Sequence, residues 1–515
     1  MGNRRTTTTP TGRDRVDREE QHGAVIIGSG VGGSVTAFRL AEAGVDNLVL
    51  ERGRRWPITP AADTFPRWPS PDKRLLWVGG RPPVPLLSQV PWLGSVAEEV
   101  AAKLLPRSTG LLDVLPHRNL TMVCGAGVGG GTLVYGGMLP QPRAEAFQRA
   151  FPPELDYEEF DRTYYPRARD RLGGTEFPDD LLARSTYRSA EIWRDALVDA
   201  GLPLERVTNT YDFDVVRAEL NGTARASVTI GQYLFTGCNS GAKLSIDRTY
   251  LARAEATGRT EVRPLHEVTK IGQHPNGRYH LVVDHLDIRG TVLERVGITC
   301  DRLVLAAGGV HTPRMLVTAK ATGQLPRLNE FIGGQWGTNG DQMYALKVKA
   351  MPAGGPHGGP PAFLTRSGDG MALVTHGGAA GLGKSWMLCP GMGIPDRFGR
   401  WTWSTITSRP RLEWARGSDA STRQATRDLM RQVARNIDGG ATVHDPFATH
   451  PLVLHPLGGV VLNKATDAYG RLHGYDGLYC LDSALMPGCT AAVNPVLTIA
   501  AVVERCLDHI VDDFT

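Results

Sequence analysis

Residues 24–53 read A-V-I-I-G-S-G-V-G-G-S-V-T-A-F-R-L-A-E-A-G-V-D-N-L-V-L-E-R-G. An apolar run, Ala24 to Ile27, stops at Gly28-Ser29-Gly30-Val31-Gly32-Gly33 and passes into helical spacing through Val35, Phe38, Leu40 and Ala41. A second apolar run, Leu48 to Leu50, ends in Glu51. The pattern predicts a strand, helix, strand unit with Gly28, Gly30 and Gly33 in its first turn, where backbone amides and the positive end of a helix meet a pyrophosphate. Glu51 stands about twenty positions past that turn, where an acid binds an adenosine ribose hydroxyl. A carboxylate there disfavours a 2′-phosphate, so FAD or NAD is expected rather than NADP.

Working outward, 515 residues exceed one hydrophobic core, so two domains or two intertwined ones are expected. A formal net charge of +4 without a basic block makes nucleic acid an unsuitable partner. The seven cysteines form no C-x-x-C pair, which argues against a disulfide framework and against a metal site. Residues 1–22 are polar and read as a disordered tail without a secretion signal, which points to the cytoplasm. No apolar run approaches the roughly 18 residues of a membrane span.

From Arg54 to Pro116 the chain is irregular and rich in Pro and Trp, with a helical patch near Ser95 to Leu105, and reads as a lid over a cofactor. A glycine-rich run, Cys124 to Met138, carries interleaved Val, Leu and Tyr and suits a buried path beside a flat ring. Helices are predicted over Pro153 to Leu172 and Ser185 to Ala200, and a strand-like piece over Ala224 to Ile230. A helix at Asp247 to Thr257 and a strand at Thr260 to Leu265 follow. Leu303 to Ala307, closing in Gly308-Gly309 before a helix with Pro313, is what a parallel sheet produces at the carboxyl ends of its strands.

Between Gly334 and His450 the spacing returns to strands, at Gln342 to Met351, Met371 to Thr375, Ser385 to Leu388 and Thr402 to Thr407, with one helix at Ser421 to Ile437. These predict a second sheet roofing a substrate chamber. The fold class expected is α/β, α+β overall, with a discontinuous Rossmann-like nucleotide domain (23–145, 236–334 and 450–515). A substrate domain of sheet and helices takes 146–235 and 335–449.

Asn494-Pro495 opens the last helix, Asn being a preferred N-cap and Pro fitting the first helical position. Its amides would favour negative charge growing on a flavin ring; a well-capped terminal helix is the plain alternative. His455 stands in a Gly/Pro turn nearby, and a histidine beside a flavin can take the hydroxyl proton of an alcohol while hydride leaves its carbon.

Several stretches together resemble the glucose-methanol-choline (GMC) oxidoreductases, within them the non-covalent, FAD-dependent cholesterol oxidase branch. They are G-S-G-V-G-G at 28–33, P-D-K-R at 71–74, G-x-G-V-G-G-G-T-L-V-x-G-G-M at 125–138 and L-V-L-A-A-G-G-V-H-T-P at 303–313. H-P-L-G-G-x-V-L-x-K-A-T-D-x-Y-G-R at 455–471 and L-D-S-A-L-M-P-G-x-x-x-x-x-N-P-x-L-T-I at 481–499 complete the set. The resemblance implies FAD, with His455 and Asn494 beside the substrate hydroxyl and Asn494 also touching the cofactor. It implies that Gly129, Gly130, Gly131 and Met138 line the flavin, that Val268 lies near the adenine and that Asp482 sits beside the flavin chain.

One departure is informative. In cholesterol oxidases a glutamate from the substrate domain shifts the double bond after oxidation. The corresponding strand here, Ala372 to Gly383, has no carboxylate; Val374 falls in that register and His376 is the nearest titratable group. A proton shuttle between two carbons needs a base in reach, so oxidation without isomerisation is expected. The substrate expected is a bulky apolar, sterol-like or polycyclic secondary alcohol, with dioxygen as acceptor. Alternatives are a dehydrogenase passing electrons to another acceptor, a redox-neutral flavoprotein and a flavin-binding protein without turnover.

Overall fold

The computed structural model describes residues 16–68, 70–78, 107–349, 358–378, 380, 383 and 385–515. In chain order, the elements that build the site begin with β1 (Arg18–Ile27), α1 (Val31–Glu42), β2 (Asn47–Leu50), β3 (Leu120–Gly125), β4 (Thr260–Arg263), β5 (His266–Gln273) and β6 (Tyr279–Leu286). They continue with β7 (Val292–Leu305), α2 (Gly308–Ala321), β8 (Gln342–Val348), β9 (Phe363–Arg366), β10 (Ala372–Thr375) and β11 (Trp386–Gly393). The last are α3 (Ala420–Arg435), β12 (Ala441–His444), β13 (Leu452–Val453), β14 (Leu478–Cys480) and α4 (Pro495–Ile510).

The first sheet has seven strands in the order β4-β2-β1-β7-β6-β5, with β14 also paired to β7. Strands β4, β2, β1, β7 and β14 run parallel, while β5 and β6 fold back antiparallel. Parallel strands are covered on both faces, and Val25, Ile26, Val49, Leu303 and Val304 are accordingly buried. At their carboxyl ends Gly28, Glu51, Ala306 and Leu481 are each hydrogen-bonded to the strand beside them. That edge is where ligands bind in such a sheet.

The second sheet is antiparallel, ordered β12-β8-β11-β10-β9 and ending on a short strand, Glu205–Arg206. Side chains alternate along a strand. Tyr344, Leu346, Met387, Cys389 and Val374 therefore pack against Leu429, Met430 and Val433 of α3. On the other face Leu364, Leu373 and Met392 join Met138 and Val493.

Three expectations change. Strand β1 begins at Arg18, not Ala24, so residues 18–22 of the expected tail are ordered. Their polar composition is tolerated because β7 extends past the core and pairs with them, Arg18 to Val296 through His22 to Cys300, and because Arg263 bonds Glu20 at 2.6 Å. Residues 224–230 are a loop ending in a single 3-10 turn, Val228–Ile230, not a strand: the buried Glu219 carboxylate accepts the amides of Ser227, Val228 and Thr229 at 2.9, 3.3 and 2.9 Å and curls them. Thr402 to Thr407 is the end of a separate hairpin, Arg400–Ser404 against Arg409–Glu413, outside the roof sheet. The patch at Ser95 to Leu105 lies outside the described residues. Among those described, no helix is long and apolar enough to cross a membrane.

Candidate active site

Between the two sheets lies a chamber of about 350 Å³. Its floor is the carboxyl edge of the first sheet with the Gly28–Gly32 turn; its roof includes Met343, Pro361, Leu388 and Pro390. Ten of the residues singled out from sequence line it: Gly28, Gly30, Glu51, Gly130, Gly131, Met138, Val268, His455, Asp482 and Asn494. Gly33 and Gly129 do not reach the wall. A Cβ on Gly33 would run into the carbonyl of Gly28 and the side chain of Ala306, so this glycine lets α1 lie close on the sheet. Gly129 holds φ 110°, a left-handed conformation that turns the glycine-rich run toward the floor.

The adenosine end is built around Glu51. Its Oε2 accepts the amide and hydroxyl of Ser29 at 3.1 and 2.7 Å, and its Oε1 accepts the Gly53 amide at 2.8 Å. A carboxylate has about four acceptor directions, so one remains, enough for a single ribose hydroxyl. Beside it, Arg52 donates to Asp113 at 2.7 Å and lies 4.9 Å over the Trp77 ring. His311 meets the same Asp113 oxygen at 3.2 Å. Burial, with the Arg52 cation next to it, pushes His311 down to about 4, so its ring is neutral near pH 7. This trio was not read from sequence, because its members lie on three distant segments.

Asp482 lines the chamber but also braces it: its carboxylate accepts Gly308 N at 2.7 Å, Thr312 Oγ1 at 2.6 Å and Ala484 N at 2.6 Å. Burial raises its pKa, the hydrogen bonds opposing that shift. Lys243 is similarly structural. Buried, it donates to the carbonyls of Leu133, Tyr135 and Tyr233 at 2.8, 3.1 and 2.5 Å, which ties the glycine-rich run to the roof. Lys243→Met leaves three carbonyls without their donor. It is expected to cost about 2–4 kcal/mol, visible as a lower thermal midpoint and faster loss of bound cofactor.

The reactive end holds His455 and Asn494. One turn, Thr338–Asp341, which leads into β8, positions both. Asp341 Oδ2 accepts the amides of Leu454 and His455, each at 2.7 Å, and Oδ1 pairs with His455 Nδ1 at 2.6 Å. A carboxylate only accepts, so the Nδ1 proton lies on this bond and Nε2 is left with its lone pair. Asn339 Nδ2 donates to the Val493 carbonyl at 2.8 Å, and Asn339 Oδ1 accepts the Thr490 amide at 2.9 Å. Between these anchors Ala491 and Ala492 have φ 60° and 63°, a left-handed path costing roughly 1–2 kcal/mol per residue and held by its surroundings. Neither Asn339 nor Asp341 was singled out from sequence; the only signal was a polar G-T-N-G-D turn ahead of a strand.

Asn494 occupies the N-cap position of α4 with Pro495 after it, as expected, but its side chain makes no capping bond. An N-cap oxygen ordinarily accepts the amide two or three residues on, yet here the carboxamide oxygen, buried in the chamber wall, has no partner among the described residues. Val374, expected near the substrate, instead faces α3 in the second core. A side chain one residue along a strand points to the other face, so the register that placed Val374 over the chamber is corrected. His376 does line it. Among the described lining residues the carboxylates are Glu51, Glu267 and Asp482, all on the floor side.

The cradle fits a dinucleotide flavin on three observations. A Cβ at Gly30 or Gly131 would meet nothing within 4 Å, so both glycines leave open space on the chamber side. The first turn of α1 carries no acid that would repel a pyrophosphate. The unpartnered Asn494 oxygen awaits a polar ligand atom.

Comparison with known proteins agrees. Two family models described as GMC oxidoreductase match residues 24–324 and 407–502. The chain is 23% identical to a cholesterol oxidase of Acinetobacter baumannii over 94% of each chain. It is 26% identical to a cholesterol oxidase of Mycobacterium tuberculosis over 93% of this chain and 89% of that one. Pyridoxine 4-oxidase from Mesorbium loti shares the fold, with TM-score 0.63, 16% identity and coverage of 95% of this chain and 99% of that one.

Proposed function

The chain belongs to the GMC oxidoreductase family and is an FAD-dependent alcohol oxidoreductase, and from that premise we propose that it oxidises a secondary hydroxyl of a bulky apolar, sterol-like or polycyclic alcohol to a ketone, with dioxygen as acceptor and no double-bond shift. The observation that carries this reading is the Asp341–His455 pair at 2.6 Å, with His455 and Asn494 lining the same chamber. FAD, when bound, supplies the hydride acceptor and passes the electron pair on to dioxygen.

His455 Nε2 takes the hydroxyl proton, and the Asp341 carboxylate stabilises the imidazolium that results. The single hydroxyl proton goes to His455, so Asn494 serves the alcohol oxygen as a donor through Nδ2–H and fixes which hydrogen on the carbon faces the floor. The N-terminus of α4, reaching the chamber at Asn494 and Pro495 with no acid in its first turn, favours negative charge there. Met138, Met343, Leu388, Pro361 and Pro390 suit an apolar ring system. In this reading residues 23–145, 236–334 and 450–515 bind the cofactor, and 146–235 and 335–449 roof it.

The test is anaerobic reduction of the purified enzyme. A sterol is expected to bleach the visible absorbance, and an air pulse to restore it with one peroxide per turnover. Restoration by a quinone but not by air would replace dioxygen as acceptor. Failure of every alcohol to bleach the enzyme would remove the reading. With cholesterol the product is expected to keep its double bond in place, since no described roof residue is a carboxylate; a strong conjugated-enone absorbance would show a base that shifts it.

A further inference from the structure

His311 stands in the first turn of α2 and lines the chamber, yet nothing in the reaction above uses it. Burial opposes a charge on its partner Asp113, but the Arg52 cation and the bond to His311 hold that carboxyl well below the usual carboxylate range. A carboxylate can only accept, so the proton of His311 lies on Nε2, the atom 3.2 Å from Asp113 Oδ2. Burial, with Arg52 beside it, keeps the ring neutral near pH 7, and Nδ1 is left with its lone pair. That nitrogen has no hydrogen-bond partner among the described residues. The His311 side chain is 22% exposed, whereas Asp113 on its Nε2 side is 9% exposed. The open surface of the ring is therefore on the side turned away from Asp113.

What the lone pair faces follows from its neighbours. Glu51 keeps one acceptor direction for a ribose hydroxyl, and Arg52 is the next residue in the chain. The His266 amide donates to the Glu51 carbonyl at 2.9 Å, which lays Glu267 and Val268 beside the same strand end. Arg52, Glu267 and His311 all line the chamber, and the Arg52 charge acts on both of the others. Burial raises the Glu267 carboxyl against the pull of Arg52, and it makes no hydrogen bond to a described residue. This end of the chamber therefore offers acceptors in His311 and Glu267 and a donor in Arg52. The 6-amino group of adenine is a donor beside ring nitrogens that accept, whereas a 6-oxo purine carries an accepting oxygen in that place. Lone pairs on His311 and Glu267 suit the first and repel the second.

We propose that His311 is a specificity-determining residue of the cofactor site, whose Nδ1 accepts an N–H of the adenine 6-amino group, so that the chain takes adenine and rejects a 6-oxo purine in the same dinucleotide. Asp113 and Arg52 are positioning residues that hold the ring in this tautomer, and Glu267 adds an acceptor on the same wall. A buried ion pair gains little over apolar packing as a source of stability, so fixing the His311 lone pair is what this one does. The proposal rests on FAD as the cofactor and not on the choice of alcohol or electron acceptor.

The test charges the full-length chain, stripped of flavin, with FAD or with its hypoxanthine analogue, in which oxygen replaces the 6-amino group. Dissociation constants are read from the change in flavin fluorescence, with no alcohol present. The wild-type chain is expected to favour FAD by about 10–100-fold. In His311→Phe, which leaves Asp113 paired with Arg52, that ratio is expected to fall by about fivefold or more. His311→Asn, whose carbonyl oxygen stands in for Nδ1, is expected to stay within about threefold of the wild-type ratio. Both flavins are measured on one preparation, so a partly folded variant loses sites without changing the ratio. A wild-type ratio near one, a ratio unchanged in His311→Phe, or an equal fall in the Phe and Asn variants overturns the proposal. A chain that binds neither flavin overturns it together with the cofactor. A chain that shows the expected ratios but is bleached by no alcohol loses the oxidation reading and keeps the His311 assignment.

Discussion

Replacing His455 with alanine is expected to slow reduction of the enzyme by an alcohol by about 10²–10⁴-fold while leaving the protein folded and loaded with cofactor. Asp341 Oδ2 is bonded to the backbone amides of Leu454 and residue 455, which the substitution keeps. Only the Oδ1 contact with the imidazole is lost, so the turn stays anchored and the carboxylate is not stranded. The side chain is also 20% exposed, so truncation opens a space that water fills instead of a void in the core. Rapid-mixing reduction traces with the variant decide the matter. Near-normal rates at saturating alcohol would mean that the proton leaves by another route and that His455 only shapes the wall.

The nucleotide edge of this fold was legible in the sequence because its signals are local. The Gly28–Gly33 turn, Glu51 at the end of β2 and the A-A-G-G turn after β7 each lie within a few residues of the strand they terminate, and the structure brings all three to one edge. Where a distant group decides the local conformation, the reading changed. Residues 18–22 look like a tail until β7 is seen to run alongside them. Residues 224–230 look like a strand until the Glu219 carboxylate is seen to gather three of their amides. Val374 was set over the chamber by matching the strand, and a strand matched one residue out of step turns every side chain to the opposite face.

The same distinction explains the reactive end. His455 and Asn494 stand in motifs that can be read, but what orients them is a turn more than 100 positions away. Its Asn339 and Asp341 differ in appearance from any other polar pair before a strand only once both segments have folded onto it. Asn494 shows how a local rule yields. Helix propensity places Asn at the N-cap, yet the carboxamide makes no cap bond and stays unsatisfied in the wall. A residue kept away from its preferred local bond, after two alanines in a left-handed path, is ordered by the tertiary contacts of Asn339 and not by the helix it begins.

Asp341 is a positioning residue, and Asp341→Asn is expected to lower the limiting rate of reduction by about 10²–10⁴-fold. The carboxylate now accepts three protons, two from backbone amides and one from His455 Nδ1. An asparagine has one accepting oxygen for those two directions. If that oxygen keeps the Leu454 and His455 amides, its NH₂ faces the imidazole, and Nδ1 must become the acceptor. The ring then carries its proton on Nε2, where the substrate hydroxyl needs a lone pair. If the asparagine turns over instead, two buried amides face an NH₂ and lose their acceptor, and the turn loosens. The first arrangement leaves the chamber intact, so a product ketone is expected to bind within about threefold of its wild-type affinity while the rate falls. Equal losses in ketone binding and in rate would show that Asp341 holds the loop and not the tautomer. Asp341→Glu offers a carboxylate again, and recovery of rate with it, without recovery of thermal midpoint, would separate the proton-holding role from packing.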